Sequence, residues 1–268
     1  MVDRNVGSHS FKLVTGYRRL DELNQKLENF SYRVLKENCL DLPEKIYMKR
    51  IVPLSPEQLK AYTEMKKHAI TELEGRQTTA ASALAQLVRL HQITCGHLAL
   101  DDGEVKTLKN NRIKELLDIL EEIDGKVIIW AIYRHDIKEI TNILSERYGA
   151  NSVASFFGDT LDRDRQDIVD RFQDRESDLR FFVGNPRTGG YGLTLTASHT
   201  VIYYSNSYDL EIRLQSEDRA HRISQKEKVT YIDLISEGTV DEYIVKNLRG
   251  KINLATKILG EDLKKWLI

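Results

Sequence analysis

Apolar positions divide the chain into two unlike stretches. From residue 11 to about residue 100 they mark helices and connectors. Ser55-Pro56-Glu57-Gln58 is a helix start, with serine as N-cap, proline at the first helical position and glutamine three residues after the cap. The pattern predicts a helix from there to about Gly75. A second helix, about Thr78 to Thr94, carries Leu84, Leu87, Val88 and Ile93, with Gly96 placed to end it. Asp101-Asp102-Gly103-Glu104 is polar and reads as a linker. Beyond it the pattern changes. Ile113, Leu116, Leu117 and Leu120 fall at helical spacing up to Gly125, and Lys126 to Ile132 is a continuous apolar strand of the kind buried on both faces. A helix at about Asp136 to Tyr148, a strand near Val153–Phe156, and a helix with Leu161, Ile168, Val169 and Phe172 on one face follow. Strands are expected at Leu179–Val183, Thr200–Ser205 and Lys228–Ile235, a helix near Leu210–Ala220, and a C-terminal helix from about Val240. Alternating strands and helices imply an α/β fold with a doubly wound parallel sheet, preceded by a helical subdomain.

Length and charge narrow the function classes. A chain of 268 residues makes one large or two modest domains. Lys and Arg number 40 and Asp and Glu 41, a net charge of −1, which excludes a globally basic DNA-coating protein and leaves any nucleic-acid contact to a local patch. The apolar run Val127 to Ile132 falls far short of the ~20 residues that span a bilayer, so no membrane partner is expected. Cys39 and Cys95 form no CxxC pair, and a reducing, intracellular location is the default. Gly7-Ser8-His9-Ser10 reads as the scar of a cleaved tag, so residues 1–10 are set apart from the fold.

Ligands of doubly wound sheets bind beyond the carboxyl ends of the strands, so the loops there are where chemistry is sought. One such loop is Arg187-Thr188-Gly189-Gly190-Tyr191-Gly192-Leu193-Thr194. Its glycines allow close approach of the backbone to phosphate oxygens; an ordinary glycine turn has the same composition. It lacks the third glycine of GxGxxG. The other is Gln215 to Gln225, QSEDRAHRISQ, in which Gln215, Arg219 and Arg222 at i, i+4 and i+7 share one helix face. A guanidinium is always charged and offers a planar fork of donors suited to phosphate. Delivered to a γ-phosphate it is worth on the order of 10³–10⁵ in rate. Two arginines alone favour the plainer reading, a solvated helix face carrying ion pairs.

The string QSEDRAHRISQ closely resembles motif six, Q-A-E-D-R-A-H-R-I-G-Q, of the Swi/Snf-type ATPases of helicase superfamily two. RTGGYGLTLTAS is similar to motif five of that family, and GKVIIWAIYRHDIKEI to motif four. FFGDTLDRDRQDIVDRFQ is similar to its D-G-S-T segment, and KVTYIDLISEGTVDEYIVKNL to its closing strand and brace helix. YRVLKENCLDLPEKIYMKRIVPLSPEQLKAY resembles the connector leaving the first lobe, and LAQLVRLHQITCGH the helical protrusion. The resemblance covers about residues 30–255. It implies a connector and protrusion over 11–105, a second RecA-like helicase lobe over 106–246 and a brace helix over 247–268.

In this family ATP lies between two such lobes. The resemblance implies that Arg222 and Arg219 complete the ATP site as catalytic arginines, Arg222 being the finger. Gln215, Gly189, Gly190 and Gly192 belong to the nucleotide side. Arg187, Thr188, Tyr133, Arg134, Gly158, Asp159 and Thr160 belong to the nucleic-acid side. ATP and Mg²⁺ are then cofactors only together with the first lobe, and the partners are double-stranded DNA and that lobe. The expected location is cytoplasmic or nucleoid-associated, or nuclear in a eukaryote. Tyr208 stands where the family has tryptophan, and Ser224 where glycine is usual, a change expected to matter little to the arginines.

No GxxxxGK followed by Ser or Thr occurs. Gly125-Lys126 is followed by Val and Gly250-Lys251 by Ile, and Asp21-Glu22 follows no apolar strand. The isolated chain is therefore expected to lack ATPase activity. Competing readings are a non-catalytic nucleic-acid-binding or docking module and an RNA helicase lobe, although the H-R-x-G-R-x-G-R form of motif six is not present. His91, Cys95 and His97 lie close in sequence but show no fourth ligand, so no metal is expected. His221 is read as a phosphate contact or a packing residue. Trp130 and Trp266 are read as packing, and Lys226 and Lys228 as solvated unless they touch phosphate.

Overall fold

The computed structural model describes residues 2–6, 9–13, 19–30, 40–74, 80–100, 102–188 and 192–259. The chain forms two units. The smaller combines Met1–Leu40 with Arg249–Ile268. In it β1 (Val2–Val6) and β2 (His9–Leu13) pair as an antiparallel hairpin, and α1 spans Leu20–Glu28. Strand pairing thus includes residues within 1–10, the stretch set apart on sequence grounds. Trp266 lies outside the described residues.

The larger unit, Asp41–Leu248, holds the sheet. Its elements are β3 (Lys45–Ile51), α2 (Pro56–Glu74), α3 (Ala80–Cys95), β4 (His97–Ala99), β5 (Val105–Thr107), α4 (Arg112–Glu122), β6 (Val127–Trp130) and α5 (Arg134–Tyr148). Then come β7 (Val153–Phe156), α6 (Asp162–Gln173), β8 (Phe181–Gly184), β9 (Thr200–Tyr203), α7 (Leu210–Ala220) and β10 (Val229–Ile235), before α8 (Val240–Leu259). Six strands lie in the order β3-β10-β9-β6-β8-β7, and every pair is parallel. Alternate residues of each strand enter opposite cores. Val127 and Ile129 of β6 meet Leu116, Ile119 and Leu120 of α4 and Ile137, Ile140 and Leu144 of α5. Ile128 and Trp130 meet Ile168, Val169 and Phe172 of α6 and Ala220 of α7. Both faces are covered, which is why β6 and β8 are apolar throughout.

Local chemistry explains the element ends. The Ser55 hydroxyl accepts the Gln58 N–H at 3.1 Å while Gln58 Oε1 accepts the Ser55 N–H at 3.0 Å, a reciprocal cap that starts α2. Gly96 ends α3 at φ +100°, where a Cβ would sit 2.1 Å from the Asn110 side chain.

Three expectations are corrected. Residues 45–51, counted with the connector, form the edge strand β3. Its inward side chains are Lys45, bound to Glu217, and Tyr47, which bonds Glu217 and stacks on Tyr231, while Ile46 and Met48 face solvent, so the apolar pattern points the wrong way. Of the polar stretch read as a linker, residues 102–104 lie within the β4–β5 hairpin, which closes as Leu100 N–H donates to Glu104 O at 2.8 Å. Leu161 precedes α6 as its N-cap residue and is 53% exposed, off the helix's apolar face.

Candidate functional site

Helix α7 is fixed by a buried charge network. Asp209 caps it, its carboxylate accepting the N–H groups of Glu211 and Ile212. Arg213 donates to both oxygens of Asp233, at 2.5 and 3.3 Å, to Asn206 at 2.6 Å and to Glu217 at 2.8 Å, and its guanidinium stacks 3.5 Å over the Tyr203 ring. Glu217 also accepts from Lys45 at 3.1 Å and Tyr47 at 2.8 Å. Burial alone would raise the Glu217 carboxyl; the Lys45 and Arg213 cations and these hydrogen bonds outweigh it and hold the group below its ordinary value. Gln215, expected on the nucleotide side, donates to Glu211 one turn back. The anchoring role belongs to Arg213, Glu217 and Ser216, whose hydroxyl meets that of Tyr203 at 2.6 Å.

These contacts also fix the helix direction. Arg213 meets Asp233, the register partner of the last residue of β9. Glu217 meets the first residues of β3, and His221 Nε2 lies 2.7 Å from Pro43 O, ahead of that strand. Helix α7 therefore runs antiparallel to the strands. Arg219 and Arg222 lie at the amino edge of the sheet, not in the carboxyl-end crevice expected from strand topology. The helix ends at Ala220, so Arg222 is in the following turn and does not share one helix face with Gln215 and Arg219.

At that edge the arginines face the segment entering β9. Arg222 is exposed and donates to Thr194 Oγ1 at 3.3 Å. Arg219 is half-buried. Its carbonyl accepts the Leu195 N–H at 2.9 Å, and its guanidinium reaches Leu193 O at 3.5 Å. Burial and then the Arg222 cation depress Arg219, with Asp218 opposing.

Gln225 locks the turn. Its amide nitrogen reaches the carbonyls of Thr196, Ser198 and Ala220 at 3.0–3.2 Å, and its N–H donates to Arg222 O at 2.8 Å. The Ser224 hydroxyl lies 2.9 Å from that of Thr196, which also accepts from Gln173 at 3.2 Å. A glycine at 224 could not make this link. A groove of about 440 Å³ runs between α6 and this segment, lined by Arg165, Gln166, Gln173, Thr188, Gly192 and Thr194. Gly192 takes φ +78° there with open space around its Cα. Gly189 and Gly190 lie outside the described residues.

The expected nucleic-acid residues gather on the opposite, carboxyl rim. Asn185 ties three strand ends together: its side chain donates to Ile132 O at 2.7 Å, its N–H to Phe156 O at 3.0 Å, and its Oδ1 accepts the Arg187 N–H at 2.9 Å. Arg134, after β6, pairs with Asp159 at 2.9 Å, and a Cβ on Gly158 would come within 3.1 Å of its guanidinium. Arg187 is exposed, 3.8 Å from Asp209. Thr160 turns inward, its hydroxyl donating to Ser155 O at 3.1 Å. Tyr133 also turns inward, with its hydroxyl 3.0 Å from His91 Nδ1 and its ring edge-on to His91 and His97. Burial first, then neighbouring negative groups, push its phenol up.

The remaining candidates are engaged in packing. His91 lies 3.6 Å from Asp241, burial holding it below its ordinary value; His97 lies 2.8 Å from Asp136; Cys95 is buried and pushed up. Among the described residues no three His, Cys, Asp or Glu side chains are placed to hold a metal ion. Tyr208 is half-buried and pushed up to about 12, by burial and then by Tyr243 and Tyr62. The sequence reading missed Arg213, Asp233, Gln225 and the buried Arg112–Asp241 pair. The available signal was a charge inside an apolar pattern: Asp233 in the strand VTYIDLI, and Arg112 in step with Leu116, Ile119 and Leu120.

A six-stranded, all-parallel sheet with helices on both faces, bearing two arginines at the end of α7, defines a RecA-like α/β lobe. Residues 108–224 match the helicase conserved C-terminal domain family. The chain carries a helicase conserved C-terminal domain, and its homologues include SWI/SNF-type ATP-dependent helicases. YwqA of Bacillus subtilis, named as an ATP-dependent helicase/translocase, is 31% identical over 263 residues, covering 93% of this chain and 28% of that protein. The Schizosaccharomyces pombe SWI/SNF chromatin-remodeling complex subunit snf22 is 29% identical over 90% of this chain and 15% of its own length. The Sulfolobus solfataricus SWI2/SNF2 ATPase core in complex with dsDNA superposes with a TM-score of 0.65 at 27% identity, covering 92% of this chain and 53% of that one. The chain thus spans a minor part of the two curated relatives. No helix among the described residues is long and apolar enough to cross a membrane.

Proposed function

We propose that this chain is the second lobe of an intracellular ATP-dependent double-stranded-DNA translocase, and that Arg222, supported by Arg219, completes a nucleotide site when a first lobe docks. The observation that carries the reading is the presentation of Arg222. It is exposed at the sheet edge, held by Thr194, on a turn that Gln225 and Ser224 tie to the segment entering β9. Two neighbouring cations on one edge repel each other, and a phosphate group relieves that repulsion while receiving charge-assisted hydrogen bonds. The residues present fit the anionic end of ATP. The phosphate-cradling loop and the acidic pair for Mg²⁺ belong to the first lobe, so the chain alone hydrolyses no ATP. On the carboxyl rim, Arg134 and Arg187 are the exposed cations for DNA phosphates, in keeping with the DNA complex of the Sulfolobus solfataricus relative.

The test is a chimera in which this chain replaces the matching part of the Bacillus subtilis relative. DNA-stimulated ATP turnover is expected, and Arg222→Ala is expected to lower it by on the order of 10³-fold or more with ATP still bound. A chimera whose turnover is indifferent to Arg222 refutes the assignment, as does turnover by the chain alone.

A further inference from the structure

The segment leading into β3 is fastened at successive points to the arginine-bearing end of α7 and to the start of β10. His221 Nε2 lies 2.7 Å from Pro43 O. The Val229 N–H donates to Glu44 O at 3.1 Å, and Lys228 pairs with the Glu44 carboxylate at 3.2 Å. Lys45 and Tyr47 bind Glu217. His221 is the residue at which the helix stops, with φ −96° and ψ 81°, and it directly precedes Arg222. Gln225 holds the other end of the same turn on Thr196 and Ser198. Arg222 is therefore carried between two anchors, one of them on the segment ahead of β3.

We propose that His221 is a positioning residue that couples the segment 41–44 to the Arg222 turn, so that displacement of that segment re-aims the guanidinium. The inference rests on the functional reading in one respect: there the segment is the connector from the first lobe, and the coupling links lobe movement to the finger. One His221 ring nitrogen is engaged by the main-chain oxygen of Pro43, which ties the side chain to that segment. Glutamine keeps a side-chain hydrogen-bond donor at this position; alanine does not.

Two measurements test this. In the chain itself, His221→Ala is expected to speed hydrogen exchange about tenfold at both Val229 and Gln225, the amides bonded to Glu44 O and Arg222 O, with the thermal midpoint lowered by only about 3–5 °C and His221→Gln restoring protection. Unaltered exchange at either amide overturns the coupling, as does failure of glutamine to restore it. In the chimera, His221→Ala is expected to lower kcat about tenfold with KM for ATP unchanged, and His221→Gln to recover it. An active chimera with unchanged kcat overturns the positioning role. A parent chimera without turnover counts against the functional reading, while the exchange measurement still decides the coupling.

Discussion

Replacing Arg213 with leucine strands a buried carboxylate. The network around α7 holds two cations, Arg213 and Lys45, against two anions, Asp233 and Glu217, and Arg213, Glu217 and Asp233 are almost wholly buried. Without Arg213, Glu217 keeps Lys45 and Tyr47, whereas Asp233 keeps the Asn206 amide and loses its bidentate cation. Breaking such a pair from one side costs about 3–5 kcal/mol. In a domain of this size that is a fall in Tm on the order of 10 °C. The sign of the pH dependence is also fixed. In Arg213→Leu, Glu217 loses one of its two cations and keeps only Lys45. In the native protein Glu217 is depressed, so its contribution is present above the unfolded carboxylate value of ~4.3 and is lost as pH falls through its folded value. The stability gap therefore narrows as pH falls below about 4.3. Urea unfolding followed by circular dichroism measures it. A loss under about 1 kcal/mol at pH 7, or a gap that widens in acid, refutes the argument. Adding Asp233→Leu to the variant removes the stranded charge and recovers much of the loss.

Two further outcomes follow from the same geometry. Arg134→Ala and Arg187→Ala are each expected to weaken duplex binding by the chain and to reduce the slope of log K against log salt by about 0.9, measured by fluorescence anisotropy; an unchanged slope removes that residue from the DNA rim. Gly96→Ala forces a β-carbon against Asn110 at a positive φ and is expected to cost more than about 1 kcal/mol in urea unfolding, whereas the same change at exposed Gly103 costs less, because no atom lies within 4 Å of its added carbon.

The parallel sheet was legible because its strands are short apolar runs between turn residues. Val153–Phe156 and Leu210–Ala220 stand where the pattern put them. Strand β3 was hidden because its inward side chains, Lys45 and Tyr47, both end on a buried glutamate, and only the Tyr47 ring packs on the core, against Tyr231. Motif six announced its arginines as a string, but not the edge on which they sit. Eleven helical residues cover ~16 Å, as far as a strand of five, so the end of α7 lies across the sheet from its start. That span, together with the turn beginning at His221, separates Arg222 from the face of Gln215. The anchoring residues were harder to find because their partners come from distant strands: Arg213 needs Asp233, and Glu217 needs Lys45.

The pairing of β3 with β10 also sets an order of assembly. Glu44 and Lys228 are 184 positions apart, and Lys45 has its register partner at Val229. A ribosome must deliver nearly the whole lobe before the early strand finds its neighbour. Until then Ile46, Met48 and Ile51 sit on an unmatched ribbon open to other chains, which makes nascent or truncated forms ending before residue 229 the ones most in need of chaperones.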